Sequence, residues 1–506
     1  MKSSVPKVHI ITLGCKVNQC DGEELGRALT CRGFQVEIGV ESDNSAGVGT
    51  PALQFMNPVF VVNTCTVTST ADAKARKLIR RLAKDYPGAK IIVTGCYAQR
   101  DVEAVAGLGD NILVVPNRKK PRLAETIAET LGADVIHPSD SAKTSSCSGR
   151  TRAFVKVQDG CDHGCTYCIV PAVRGPMMSK PLSGIVEEVA SLCEAGMKEV
   201  VLCGIRLGAY GADLQEGVSL AHLLRGLREI PIPRLRLSSL EPLDISEDLI
   251  AEFNDHPGLC HHLHLPVQSG DDGVLAAMGR GYTLSDYRRL VERIRRIWPD
   301  LSLTTDVMVG FPEESEAAFE NTLEMMREFD FTKVHVFRYS ARPGTPAAAM
   351  KDQVPEQTKR ARMEAVQELA EGLFRRRAEQ MMGRVVEVLI EGPAQKERAD
   401  QKRPHMLGAG FANPAGEPAA FTKAAPKTSA RLTEDKPPPN EYAFSAGRWE
   451  GLTPHYLRVE VSIAKWEAKG VVGLGCRPQP DFLMGEIIQA RITGAGKDFL
   501  VGELAR

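Results

Sequence analysis

From Ala153 to Arg338 the chain alternates short apolar runs with helical ones, and few folds accommodate such a pattern. Ala153–Gln158 reads as a first strand, followed by strands at Glu199–Cys203, Arg234–Ser238, His262–Leu265, Leu301–Val309 and Lys333–Arg338. Between them, Ser183–Ala195, Leu220–Arg228, Glu247–Asn254, Ser285–Ile297 and Glu316–Phe329 read as helices. Parallel strands need long crossovers, usually helical, so the pattern predicts a parallel barrel or part of one, a partial (β/α)6 arrangement. Active sites of such barrels lie at the carboxyl ends of the strands. Polar residues gather there: Gly204 and Arg206; Ser238, Ser239 and Glu241; Gln268 and Ser269; Asp306 ahead of Gly310-Phe311-Pro312; and Arg338-Tyr339-Ser340. Strand ends are polar in any fold, so no one of these residues identifies a site alone.

The first strand opens onto Gln158–Gly175, QDGCDHGCTYCIVPAVRG, where three of the thirteen cysteines stand in C-x3-C-x2-C spacing. Thiols this close let one loop wrap an iron–sulfur cluster, whose irons each take about four ligands. Three thiolates on a four-iron cluster leave one iron open to a small molecule. A structural zinc knuckle is the alternative, but it normally closes with a fourth Cys or a His at similar spacing. Only His163 is near, inside the loop.

This stretch resembles the cluster loop of the radical S-adenosylmethionine (SAM) enzymes. GCDHGCTYCIVPAVRG is similar to the form found in methylthiotransferases, with Tyr167 ahead of the last cysteine and Arg174-Gly175 closing the loop. The resemblance implies that Cys161, Cys165 and Cys168 are the catalytic cysteines, holding a 4Fe-4S cluster whose open iron takes SAM. The phrases SSLEP, HLPVQSG and YSxRPGT are also similar to the family's, and the match implies SAM contacts at Gly204, Ser239, Glu241, Gln268 and Arg338. Glu313 stands where the family usually has Gly; if that turn needs a positive φ, the side chain costs about 1 kcal/mol.

Toward the N-terminus, Val8–Leu13, Val59–Val62 and Lys90–Thr94 are strand-like runs ending in Gly14-Cys15, Asn63-Thr64-Cys65 and Gly95-Cys96. With helical stretches at Asp21–Arg32 and Ala71–Asp85 between them, they predict a parallel sheet with covering helices, whose strand ends share one crevice. Three unrelated core cysteines are the alternative. TLGCKVNQ, NTCTVT and TGCYAQR resemble the methylthiotransferase phrases for a second, auxiliary cluster, so the resemblance implies a second 4Fe-4S cluster on Cys15, Cys65 and Cys96. Cys20-Asp21 departs from the family pattern, and Glu41–Pro58 reads as an inserted surface loop.

Beyond a helical stretch at Lys359–Met381, β-like runs at Arg384–Ile390, Tyr456–Ile463, Gly485–Ile492 and Phe499–Leu504 predict a small barrel. It resembles the OB-like TRAM domain that contacts tRNA in this family. Arg448, Arg458, Lys465, Lys469, Arg477, Arg491 and Lys497, with Trp449, Tyr456 and Trp466, suit phosphate contact and base stacking. Pro393–Gly447, crowded with Pro, Ala, Lys and Gly, reads as a disordered insertion. The expected division is a domain at 1–137, a linker at 138–152, a radical SAM domain at 153–380 and the small barrel at 381–506.

A formal net charge of -1 makes bulk attraction to nucleic acid ineffective, so any RNA contact is local. No signal-peptide run or membrane span is evident, which predicts a cytoplasmic protein with no membrane partner, where thirteen cysteines are not a disulfide framework. By resemblance the function is tRNA methylthiolation through two 4Fe-4S clusters and SAM, with an electron donor and a sulfur donor that the sequence does not identify. LGCKVNQ, CTYCIVP and GIRLGAYG are closer to the branch acting on N6-threonylcarbamoyladenosine at position 37 of tRNA than to the isopentenyladenosine branch. A reading of another class is a non-catalytic RNA-binding protein with structural metal sites.

Overall fold

The computed structural model describes residues 7–40, 58–131, 151–214, 217–394, 447–463 and 484–505. Apart from Pro58, Pro393, Ala394 and Gly447 at their ends, the inserted segments expected at Glu41–Pro58 and Pro393–Gly447 lie outside the described residues, as do nearly all of the linker and Lys465, Trp466, Lys469 and Arg477.

The N-terminal region holds β1 (Lys7–Thr12), α1 (Lys16–Thr30), β2 (Gln35–Val40), β3 (Val59–Thr64), α2 (Ser69–Asp85), β4 (Lys90–Gly95), α3 (Cys96–Arg100), α4 (Val102–Ala106), β5 (Ile112–Val114) and α5 (Leu123–Leu131). Its strands form one parallel sheet in the order β2-β1-β3-β4-β5. Every residue of β3, VFVVNT, is buried, as a strand covered on both faces requires. The outer strands β2 and β5 were not expected, because QVEIGV alternates like a half-exposed edge and ILV is only three residues long. Helix α1 begins five residues before the expected Asp21, directly after Cys15, and no side chain caps it. With no Ser, Thr, Asp or Asn at that position, the start carries no sequence signal.

The next region comprises β6 (Arg152–Lys156), β7 (Gln158–Asp159), α6 (Val170–Arg174), β8 (Met178–Ser179), α7 (Leu182–Glu194), β9 (Glu199–Cys203), α8 (Leu220–Leu227), β10 (Arg234–Leu237), α9 (Glu247–Asp255), β11 (His262–His264), α10 (Asp272–Ala277), α11 (Leu284–Ile297), β12 (Ser302–Val309), α12 (Glu316–Phe329), β13 (Lys333–Arg338) and α13 (Glu356–Met381). Two parallel three-stranded sheets, β10-β9-β6 and β11-β12-β13, are joined by bridges at Leu235–Leu259 and Ser239–His264. The six long strands therefore make the expected open arc, with a gap between β6 and β13. Val155, Leu202, Leu235, Leu263, Leu303 and Val307 belong to one apolar core shared with the surrounding helices. Ser219, Ser246, Asp271, Thr283 and Ser315 cap helices α8 to α12 in turn; α8, α9, α11 and α12 begin within a residue of their expected starts, whereas the short α10 was not expected.

The C-terminal strands β14 (Val385–Pro393), β15 (Gly447–Leu452), β16 (Arg458–Ile463), β17 (Ile487–Ala495) and β18 (Leu500–Leu504) close a small barrel in the order β14-β15-β16-β18-β17. The turn between β15 and β16 enters the base of the open arc. Arg234 donates to the Leu452 carbonyl at 2.8 Å, and Arg236 to those of Pro454 and Thr453 at 3.0 and 3.2 Å. Glu199 balances Arg236 at 2.9 Å, so two buried arginines and a buried carboxylate fasten the barrel to the arc. Tyr456 stacks on His262 with centroids 4.5 Å apart. The reading of Tyr456 as a base-stacking residue is therefore corrected: its ring is committed to the domain joint. Trp449 likewise packs partly buried against the barrel core.

Among the described residues, no helix is long and apolar enough to cross a membrane. Glu313 does adopt a positive φ, 67°, at an exposed position. Glu313→Gly should raise stability by up to about 1 kcal/mol, read as a higher denaturant midpoint with an unchanged slope.

Candidate active site

The Cys161–Cys168 loop is fixed to the mouth of the arc from several sides. Gln158 donates to the carbonyls of Asp159 and Gly160 at 2.9 and 2.8 Å and accepts from the Arg206 amide at 2.9 Å. Gly160 has φ 70°, and a Cβ there would lie 1.9 Å from the Pro176 carbonyl oxygen, so only glycine fits. Thr166 donates to the carbonyls of Met278 and Ala277 and accepts from the Ala347 amide. The three thiols are half-buried and free of disulfides. The His163 amide donates to Cys161 Sγ at 3.4 Å, and Arg280 Nη1 donates to Cys165 Sγ at 3.3 Å.

Arg280 escaped the sequence reading, since a lone arginine between two glycines is an ordinary turn. It is buried, lies 3.4 Å from the Tyr167 hydroxyl, and is held by Glu241 at 2.6 and 2.8 Å. Glu241 thus touches the site through Arg280. Arg206, paired with Asp244 at 2.7 Å and Asp162 at 3.1 Å, adds a second positive charge beside Cys161. Fixed cations suit a thiolate-bound anionic cluster.

A cavity of about 170 Å³ adjoins this loop, lined by Tyr167, Cys168, Gln268, Asp306, Arg338 and, from the N-terminal region, Val67 and Thr68 among others. Of the residues expected to contact SAM, Gln268 and Arg338 border it. Gln268 has φ 73°, a conformation that costs a non-glycine residue about 1 kcal/mol or more and that packing must impose. Arg338 pairs with Glu356 at 2.7 Å. Gly204 and Ser239 are not on its lining: Gly204 packs against Gln158 and Leu207, and Ser239 joins β10 to β11. Asp306 leads inward through His264 (3.3 Å) to Thr304, whose hydroxyl lies 2.9 Å from His264 and 3.0 Å from His262.

Cys15, Cys65 and Cys96 follow β1, β3 and β4, three adjacent strands, and adjacency brings them together. Gly14, at φ 98°, lies so near Cys65 that a Cβ would fall 2.5 Å from that residue's Cβ. Burial pushes the Cys65 thiol up to about 12 and the Cys168 thiol up to about 11, so metal binding at either would displace a proton. Neither cysteine trio is gathered tightly enough for one ion. Among the described residues, only His261, Asp300 and His455 have ligand atoms all within 4.8 Å of one another, whereas a zinc ion with sulfurs at about 2.3 Å would hold them closer than that.

The segment that follows the first trio meets the second. Cys96 shares an apolar contact with Ile169 and Val173, just beyond Cys168, and Asn117 spans from Cys96 Sγ (3.7 Å) to the Val173 carbonyl (3.1 Å). Arg174 pairs with Asp159 at 2.7 Å and Asp21 at 3.3 Å, and donates to the Asn18 side chain. Asp21, 1% exposed, also holds Lys120 at 2.6 Å and Lys156. Burial would raise its pKa, but Lys120, Lys156 and Arg174 hold it far below the usual carboxylate range. A second clamp joins Arg342, in the RPGT phrase, to Asp72 (2.6 Å) and Thr66 (2.9 Å).

Residues 155–326 match the radical SAM superfamily and residues 7–115 the uncharacterized protein family UPF0004. The threonylcarbamoyladenosine tRNA methylthiotransferase MtaB of Thermotoga maritima is 38% identical over 76% of this chain and 86% of its own length. The chain belongs to the radical SAM methylthiotransferase family. MtaB of Bacillus subtilis is 35% identical (75% of this chain, 84% of that protein), and a tRNA-2-methylthio-N(6)-dimethylallyladenosine synthase of Syntrophus aciditrophicus is also 35% identical (78% and 85%). Among solved structures, the radical SAM methyltransferase TsrM of Kitasatospora setae, with cobalamin and a 4Fe-4S cluster, has a TM-score of 0.51 at 16% identity, covering 68% of this chain and 77% of that one. That likeness is one of fold. Membership makes the chain a radical SAM transferase, an enzyme whose cofactors include SAM and a 4Fe-4S cluster, and the C-x3-C-x2-C loop lies within the residues that match the radical SAM superfamily.

Arg280→Gln should leave iron content intact while slowing SAM cleavage about 10- to 100-fold, as loss of a ligand's hydrogen-bond partner does, measured as 5'-deoxyadenosine formed per iron. Asp21→Asn should destabilise the chain by about 3 kcal/mol in denaturant unfolding. Because the Asp21 carboxyl titrates lower in the folded than in the unfolded chain, its contribution is complete above about pH 4 and disappears as pH falls toward its folded value. Wild type and variant should therefore converge in strong acid.

Proposed function

We propose that this methylthiotransferase acts on N6-threonylcarbamoyladenosine at position 37 of tRNA, converting it to the 2-methylthio derivative. The observation that carries the reading is the meeting of Cys96 with Ile169 and Val173, just beyond the Cys161–Cys168 loop, in a chain whose relatives include threonylcarbamoyladenosine tRNA methylthiotransferases at 38% and 37% identity. Cys161, Cys165 and Cys168 would hold one 4Fe-4S cluster and Cys15, Cys65 and Cys96 a second. With SAM bound, a cluster of the first kind supplies reductive cleavage of SAM, the source of a radical able to take hydrogen from an unactivated C–H bond.

The chain's own residues position and shield. Arg280 neutralises charge at Cys165, with Glu241 holding it in place. Gln268, Arg338 and Asp306 border the space for SAM and the target base, and Gly204 and Ser239 shape the strand ends around it. Val67 and Thr68 bring the second trio's domain to the same cavity, so sulfur need travel only between neighbouring loops. Along α2, which starts beside that cavity, Lys77, Arg80, Arg81 and Lys84 are exposed and suit a phosphate backbone. In the small barrel, which resembles a TRAM domain, Arg448 is exposed, whereas Arg458 and Lys497 already pair with Glu450 and Glu371. Electron and sulfur donors must come from other proteins or small molecules. The substrate places the enzyme in the cytoplasm.

Relatives named for dimethylallyladenosine, at 35% identity, supply the rival nucleoside. Mass spectrometry of tRNA from a strain lacking the gene separates the two. Loss of the methylthiolated threonylcarbamoyl nucleoside alone is expected, and its persistence would sink the assignment. In purified protein, Cys165→Ala should abolish 5'-deoxyadenosine formation, whereas Cys65→Ala should retain part of it and lose methylthiolation. Equal loss of both activities in Cys65→Ala, or a chain purified anaerobically with zinc and no iron, would count against two separate clusters.

A further inference from the structure

At the amino ends of the strands, opposite the cysteine trios, three ligand-type side chains converge from separate parts of the chain. His261 precedes β11, Asp300 precedes β12, and His455 lies on the β15–β16 turn of the small barrel. His261 Nδ1 is 2.8 Å from one Asp300 oxygen and His455 Nε2 is 2.9 Å from the other, and the three ligand atoms all lie within 4.8 Å of one another.

Contacts other than Asp300 place the His261 imidazole and the His455 backbone. His261 stacks on Trp298 at 4.6 Å, and Trp298, buried, stacks on Phe253 at 5.2 Å. The His455 carbonyl accepts from Ser302 Oγ at 2.5 Å, and the arginine bonds to the turn hold the residues before it. Ligands oriented by their own supports form a site before any ion arrives. Left as hydrogen bonds alone, a carboxylate half in water between two imidazoles adds little to a domain joint.

We propose that His261, Asp300 and His455 bind a single divalent transition-metal ion, zinc by the preference of two imidazoles and a carboxylate, and that this ion staples the C-terminal barrel to the base of the arc. Two nitrogens and one oxygen satisfy three positions of a tetrahedral zinc, leaving the fourth to water. Its sulfur-free donor set makes the site chemically distinct from the cysteine trios, and its role is independent of which nucleoside is modified.

The test uses holoenzyme purified anaerobically with its iron in place, equilibrated with zinc chloride and then returned to zinc-free buffer. Zinc and iron per chain are measured for wild type, His261→Ala, His455→Ala and Asp300→Asn. The expected result is about one zinc more in wild type than in any variant, with iron equal throughout, and zinc affinity at least about tenfold weaker in each variant. Added zinc should raise the wild-type melting temperature and leave that of His261→Ala unmoved. Equal zinc in wild type and Asp300→Asn, which keeps the shape of the site, would overturn the proposal, as would a zinc difference that merely follows lost iron.

Discussion

The buried meeting of Asp21 with Lys120, Lys156 and Arg174 is the contact on which the working arrangement depends. One carboxylate, nearly inaccessible to water, accepts cations from two domains at once. Removing ions from water is expensive unless each finds a partner, so this cluster is satisfied only when the N-terminal sheet lies over the mouth of the arc. Arg174 is also the closing residue of the cysteine loop, which makes domain docking and loop closure one event. Asp72 repeats the device on the other side of the cavity with Arg100 and Arg342.

Much of this was legible in the chain before its fold. Apolar runs became buried parallel strands, helices α8, α9, α11 and α12 began within a residue of where the pattern put them, and each cysteine trio fell at strand ends. Glu313 entered the left-handed region that its glycine-like position implied. What escaped notice has a common physical character. Arg280, Asn117 and the Asp21 cluster act through partners remote in sequence, and an isolated Arg, Asn or Lys reads as solvated surface. Tyr456 was misjudged for a related reason: an aromatic beside basic residues suggests nucleic acid, whereas its surroundings are His262 and buried arginines supplied by another domain.

The arc is open, and its two ends are treated differently. At the carboxyl ends another domain of the same chain covers the gap and supplies Val67 and Thr68 to the cavity wall. At the amino ends the turn of the small barrel fills the base, with Arg234 and Arg236 binding its carbonyls. Between them runs a polar line from Asp306 through His264 and Thr304 to His262, which stacks on Tyr456. Three domains thus meet along one axis of the arc.

The two cysteine trios differ in how much of the chain must be in place before they exist. Cys161, Cys165 and Cys168 are near neighbours in any conformation, since closing so short a loop costs little entropy. Cys15, Cys65 and Cys96 meet only after β1, β3 and β4 have paired across long separations, the slow kind of contact to form. The first trio can therefore be gathered on a nascent or partly folded chain, while the second comes together only in a finished sheet. Assembly of the two trios acquires an order from topology alone.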